Sequence, residues 1–133
     1  TLALCEKNNL ASILRGPLAM GTLTGKFSAD TTLPADDIRR GWNFREGGQA
    51  DAIKKVESLR EVLTSGGRTL TQGALAWLWA RSPVMIPIPG FKTVAQVEEN
   101  AGAMAFGPLT AAEMKQVDDI LGRPQTPANG AVA

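Results

Sequence analysis

The order of elements legible in the sequence, namely helix, strand, long loop, two helices, strand, helix and helix, predicts an α/β protein with parallel strands. Two short apolar runs, residues 11–14 and 84–88, read as buried strands, and each leads into a turn bearing glycine and proline. Between and after them, apolar residues recur at three- and four-residue steps, the spacing that gathers side chains on one side of a helix. Only two strands are present, and a parallel pair with both edges unpaired does not make a finished sheet. The chain is therefore expected to be incomplete, or completed by a partner.

Leu2, Leu4 and Cys5 precede Asn8 and Asn9, a pair suited to ending a helix because asparagine tolerates the left-handed conformation. Cys5 is expected to be a small buried apolar side chain. After the first strand, Gly16 and Pro17 open a loop that runs to about residue 48. One turn of helix is expected at 35–40, with Asp36 and Asp37 as its solvated start. A connection of this length is commonly functional or disordered.

From Asp51 onward, Ile53, Val56, Leu59 and Leu63 form an amphipathic stripe closed by Gly66 and Gly67. Thr69 with Gln72 three residues on is a capping box, in which each side chain satisfies a backbone N–H left free at a helix start. Leu70, Ala74, Leu75, Leu78 and Trp79 give that helix a wide apolar side, which places Trp77 and Trp79 in the core. It ends near Ser82, before Pro83. Pro87 and Pro89 cannot donate ladder hydrogen bonds and belong near the end of the second strand. Thr93 and Gln96 repeat the capping signature ahead of Val97, Asn100, Ala101 and Met104 on one helix side. Thr110 and Glu113 repeat it again, with Met114, Val117, Ile120 and Leu121 as the buried stripe and Gly122 as the stop. Residues 123–133 hold two prolines and little to bury, and are expected to form a disordered tail.

Composition narrows the function. At 133 residues and 14.0 kDa, one domain is the expectation. Fourteen Lys and Arg against thirteen Asp and Glu leave a net charge of +1, which argues against nucleic-acid binding through a broad basic face. No apolar run approaches the roughly 20 residues of a membrane helix, so a soluble protein is expected. One cysteine cannot make an intramolecular disulfide, which makes the cytoplasm the default compartment. The absence of His and Tyr excludes a Ser/His/Asp triad, a Cys/His pair and any His-bearing metal site within the chain, so no metal site is assigned. Thr1 opens directly on a helix-like segment with no signal-peptide pattern, and the sequence reads as a piece of a longer one.

The most informative segment is residues 86–100. It reads as a strand, a turn through Pro89 and Gly90, and a capped helix whose first turn faces the strand's carboxyl end. Lys92, just before the helix, adds a full charge to the free amides there. Gln96, Glu99 and Asn100 lie about a turn apart and can present polar atoms on a common side, suited to a ribose or a purine edge. Local physics alone also allows a plainer reading, with Thr93 and Gln96 merely capping and Lys92 a solvated charge.

The run Pro-Gly-x-Lys-x-x-x-Gln-x-x-Glu-Asn, from Pro89 to Asn100, resembles the segment by which aldo-keto reductases bind the 2′-phosphate and adenine of NADPH. An upstream segment, residues 15–27, is similar to the same family's loop after a strand, in which one residue stacks on nicotinamide and the following backbone tracks the pyrophosphate. The resemblance extends from about Leu2 to Gly122 and implies the C-terminal part of an eight-stranded (β/α) barrel, a TIM barrel of the NADP-linked oxidoreductase type, over residues 1–122. It implies that Arg15 occupies the nicotinamide-facing place, where the family commonly has an aromatic residue. It further implies that Gly16, Pro17, Leu18, Ala19 and Met20 line the diphosphate and that Lys26 approaches the cofactor. Gly90 and Phe91 form the turn, Lys92 takes the 2′-phosphate, and Gln96, Glu99 and Asn100 meet the adenosine end.

The implied function is that of an NADPH-dependent oxidoreductase reducing aldehydes or ketones, with a small carbonyl substrate and with the N-terminal part of the barrel, or a completing chain, as partner. The catalytic Tyr, Lys, Asp and His of the family belong to the first half of the barrel. No catalytic residue is assigned here, and the chain alone is expected to be inactive. The alternative is a noncatalytic nucleotide-binding or interaction subunit resembling potassium-channel beta subunits. Trp42 and Phe44, beside Arg39, Arg40 and Arg45, are open to two readings, a lid or substrate wall, or anchors of the loop onto the helices.

Overall fold

The computed structural model describes residues 1–124, so most of the tail expected at 123–133 lies outside the described residues. The elements are α1 (Leu2–Lys7), β1 (Ser12–Arg15), a 3-10 segment (Ala19–Thr24), α2 (Gly47–Ser58), α3 (Arg60–Leu63), a short 3-10 segment (Ser65–Gly67), α4 (Leu70–Arg81), β2 (Met85–Ile88), α5 (Val94–Phe106) and α6 (Ala111–Leu121). β1 and β2 pair in parallel, Ser12 opposite Met85 and Arg15 opposite Ile88. β1 starts one residue later than its apolar run because the ladder opens at Ser12, whose N–H donates to the Val84 carbonyl at 2.8 Å.

The strands were expected to be buried, and the structure corrects this. Ser12, Leu14, Met85 and Pro87 are half-buried on one face, while Ile13, Arg15, Ile86 and Ile88 stand exposed on the other. A continuous apolar run is the pattern of a parallel strand covered on both faces, and here helices cover only one. Ile13, 67% exposed, is the clearest mark of that bare face.

The core lies on the helix side. Val56, Leu59, Val62, Leu63, Leu70, Ala76, Leu109 and Val117 form one cluster among α2, α3, α4 and α6. Leu18, Ala74, Leu75 and Ala103 form a second, joining the first 3-10 segment to α4 and α5. α4 runs through both and buries Leu70, Thr71, Gly73, Ala74, Leu75 and Ala76. Among the described glycines Gly73 permits the closest approach, since a Cβ there would stand 2.1 Å from the Leu63 carbonyl oxygen. Trp77 and Trp79 pack against the two clusters but remain half-buried.

Other elements depart from expectation for identifiable reasons. The single helix expected from Asp51 starts earlier, at Gly47, and breaks at Leu59 before resuming as α3. Gly66 and Gly67 end it in left-handed conformations, φ +67° and +86°, as their position predicts. The side of α5 bearing Val97, Ala101 and Met104 is not the packed one: Met104 is 75% exposed and Ala103 alone is buried in this helix. Small residues let α5 lie close to α4, which displaces its larger apolar side chains outward. On α6, Val117 is buried but Ile120 is exposed. Cys5 is half-buried rather than buried, as α1 carries no buried residue. No α-helical turn forms at 35–40; the chain makes successive tight turns there instead.

Candidate functional site

A cleft of about 750 Å³ opens at the carboxyl ends of the two strands. It brings the two singled-out segments together: Gly16, Leu18, Met20 and Lys26 line one side, and Gly90, Phe91, Lys92, Gln96, Glu99 and Asn100 the other. Three of the expected residues are not among its walls. Arg15 ends β1 on the bare sheet face with Ile13, Pro17 lines a separate apolar hollow with Leu23 and Trp77, and Ala19 is exposed.

The first wall is a backbone built of left-handed residues. Gly16, Gly21 and Gly25 have φ of +68°, +95° and +73°, and Ala19 and Met20 share the region at +48° and +54°. At Gly21 the backbone angle is the requirement for glycine, since an added Cβ would meet only the movable end of the Lys26 side chain, 2.9 Å from Nζ. Not every position of this run offers a free amide. Pro17 has none, and the Ala19 N–H donates to the Gly16 carbonyl at 3.0 Å.

The second wall starts α5. Thr93 Oγ1 accepts from the Gln96 N–H at 3.3 Å, which is half of a capping box. The reciprocal half is redirected: Gln96 Oε1 accepts from the Lys92 N–H at 2.6 Å rather than from Thr93. The side chain expected to meet a nucleotide thus holds the backbone of Lys92, and its carbonyl oxygen is engaged there.

The long loop supplies a rim, but through residues 36–39 and not through Trp42 and Phe44, which the sequence leaves open to a wall reading. Arg39 grips Asp37 through Nε and Nη2 at 2.8 and 2.6 Å, and its Nη1 donates to the Met20 carbonyl at 2.7 Å. Asp37 was expected to be solvated, yet its side chain is only 13% exposed, sealed by this bidentate contact. The hydrogen bonds from Arg39, side chain first, and its charge hold the Asp37 carboxyl well below the usual carboxylate range. Burial, then the neighbouring charges of Arg39 and Lys92, lower the Lys26 ammonium, while Asp37 opposes them. Lys26, Arg39 and Lys92 share the cleft lining with three carboxylates, Asp36, Asp37 and Glu99, of which Asp37 is held by Arg39. Phe44 stacks on Phe27 with centroids 5.0 Å apart, and Trp42 meets both edge-on at 6.1 Å, so these aromatics anchor the loop on itself.

Thr71 was also missed. It lines the cleft from the first turn of α4, is 2% exposed, and its hydroxyl has no hydrogen-bond partner among the described residues. Its place in an apolar helix run gave no sign of this in the sequence. Among the described residues no cluster of acidic or cysteine side chains could hold a metal ion, and no helix is long and apolar enough to cross a membrane.

Strands followed by crossover helices, with the cleft at the strands' carboxyl ends, define the (β/α) barrel class. The chain belongs to the aldo/keto reductase family, whose model matches residues 1–122. It is 32% identical to the aldo-keto reductase yakc (NADP+) of Schizosaccharomyces pombe over 114 residues, covering 85% of this chain and 33% of the relative. It is 32% identical over 120 residues to the chloroplastic pyridoxal reductase of Arabidopsis thaliana, covering 87% of this chain and 30% of the relative. Among solved structures, a glycerol dehydrogenase from Gluconobacter oxydans superposes with a TM-score of 0.76 at 29% identity, over 96% of this chain and 40% of that one. The chain thus spans about a third of the length of the curated relatives it matches.

Proposed function

We propose that this chain forms the NADPH-binding end of an aldo-keto reductase barrel that reduces aldehydes or ketones. The observation that carries this reading is the convergence of the two segments on one cleft with Lys26, Arg39 and Lys92 at its rim. The residues fit such a ligand on three counts. The cations suit phosphate oxygens, the unpartnered Thr71 hydroxyl marks unmet polar capacity at the wall, and Gly90 leaves open space where a Cβ would lie.

In this reading Lys92 takes the 2′-phosphate, Glu99 and Asn100 meet the adenosine end, and Gln96 acts mainly by fixing the Lys92 backbone. Gly16, Leu18 and Met20 shape the diphosphate passage, with Lys26 above it. Arg15, at the end of β1, faces the side on which the barrel interior would lie and so stands near the nicotinamide. Pro17 and Ala19 hold the turn rather than touch the ligand. Bound NADPH would supply the hydride, and these residues would bind and orient it. The chain has no Tyr and no His, so no proton transfer is assigned to it. The exposed Ile13, Ile86 and Ile88 suit coverage by the remaining strands of the barrel, from the same polypeptide or from a completing chain.

The test is titration of the full chain with NADPH and NADH, with and without Lys92→Glu, read by nicotinamide fluorescence. Loss of one charge-assisted contact should weaken NADPH by about tenfold or more while NADH changes by less than about twofold. An unchanged NADPH-to-NADH ratio overturns the phosphate assignment. Binding by an assembled barrel that reduces no carbonyl compound would favour a noncatalytic nucleotide-binding subunit.

A further inference from the structure

We infer that Gln72 is a positioning residue for the nucleotide end of the cleft, because its one side-chain amide ties the start of α4 to the backbone of Glu99 in α5. The inference rests on the nucleotide reading given above for what Glu99 and Asn100 hold. Gln72 Oε1 accepts from the Thr69 N–H at 2.9 Å, closing the α4 capping box. The same amide's Nε2 donates to the Glu99 carbonyl at 3.1 Å, across a gap of 27 residues. Opposite it stands Gly102, where a Cβ would lie 3.0 Å from Nε2, so the α5 turn beyond Glu99 is tight against the glutamine.

This tie matters because the two helices are held so differently. α4 buries most of its first two turns, and Gly73 seats it against the Leu63 backbone. In α5, by contrast, Ala103 is the buried residue. The placement of Glu99 and Asn100 relative to the core rests on the packing of α5 along α4 around Ala103 and Gly102, to which the Gln72 amide adds a directional hydrogen bond at Glu99 itself. Thr71, next to Gln72, lines the same cleft, so this turn of α4 forms part of its floor as well as its brace.

Gln72→Glu separates the two roles of the side chain. A carboxylate keeps its length and still accepts from the Thr69 N–H, where a negative charge at the helix start is favourable. It cannot donate to the Glu99 carbonyl, and it sets charge against that oxygen. Gly102→Ala crowds the same bond from the other side.

The experiment measures NADPH and NADH affinity, melting temperature and amide hydrogen exchange for the full chain and both variants. Gln72→Glu should weaken both nucleotides alike by about three- to tenfold, the range that one hydrogen bond carries, with the NADPH-to-NADH ratio kept. Melting should move little, and exchange should rise across α5 but not α6. In the assembled enzyme the cofactor KM should rise while kcat at saturation holds, a split that general loosening would not give. Unchanged affinity, weakening of NADPH alone, or unchanged exchange in α5 overturns the inference. If the unaltered chain binds neither nucleotide, the nucleotide reading and the role given to Gln72 within it both fail, and the exchange data then show separately whether the tie exists.

Discussion

In the helix wall, Arg68 and Glu113 meet with side chains 7% and 15% exposed, whereas at the cleft rim Lys26 and Lys92 stand exposed beside an Asp37 that Arg39 already holds. The wall pair is saturated. Arg68 also donates to the Leu63 carbonyl and to Ser65 Oγ, and Glu113 accepts from Ser65, from Arg68 and from the Thr110 N–H. The cleft lining balances three cations, Lys26, Arg39 and Lys92, with three carboxylates, Asp36, Asp37 and Glu99, yet among the described residues Arg39 and Asp37 are the pair in ion contact there. Charge in the wall is consumed by internal hydrogen bonds, whereas Lys26 and Lys92 at the rim make no ion pair among the described residues.

The largest effect that would break this comparison lies in the wall. Gly73→Ala forces a methyl into the Leu63 backbone and should cost about 3 kcal/mol or more, read from the urea midpoint. A loss under about 1 kcal/mol would mean that α3 and α4 yield easily and that the wall is not rigid.

Glu113→Ala comes next, because it strands the Arg68 guanidinium, and should cost about 3 kcal/mol. Burial raises the Glu113 carboxyl, but hydrogen bonds from Ser65, the Thr110 backbone and Arg68 outweigh it and hold the group near 2 against an ordinary 4.5. A depressed carboxyl adds stability in full above pH 4.5 and loses it as pH falls toward 2. Acid unfolding of the intact chain should therefore steepen in that window, and the variant should show a flatter limb. Identical acid limbs would remove Glu113 from the account.

Smaller effects sharpen the contrast between capped helices. Thr110→Ala should cost about 1–2 kcal/mol, since it opens a closed capping box whose hydroxyl also donates to Glu113. Thr93→Ala should cost less, about 0.5–1 kcal/mol, because Gln96 still holds the Lys92 N–H. The reverse ranking in thermal melts would show that the α5 start relies on its threonine. Lys92→Glu should be smallest, within about 0.5 kcal/mol of the unaltered chain, as expected for an exposed side chain away from packing.

Much of this chain was legible residue by residue. The helix stops at Gly66, Gly67 and Gly122 and the threonine caps at Thr69, Thr93 and Thr110 follow from backbone preferences and hydrogen bonds within a few residues, and the parallel pairing of the two strands follows from the helices that separate them. The run through Lys92 to Asn100 could be singled out because it carries its polar pattern locally, whereas residues 15–27 stand out only through their resemblance to the aldo-keto reductase family's loop.

What only tertiary structure decided depends on which distant surfaces meet. The exposure of Ile13 and Met104, the seal of Arg39 on Asp37 and its reach to Met20, and the redirection of Gln96 onto Lys92 are not encoded in periodicity. Neither is the bond from Gln72 to Glu99, which joins residues far apart in sequence. Periodicity states that a helix has an apolar side. The neighbour that covers that side, and the polar atoms left over at its edge, are settled only by packing between elements remote in the chain.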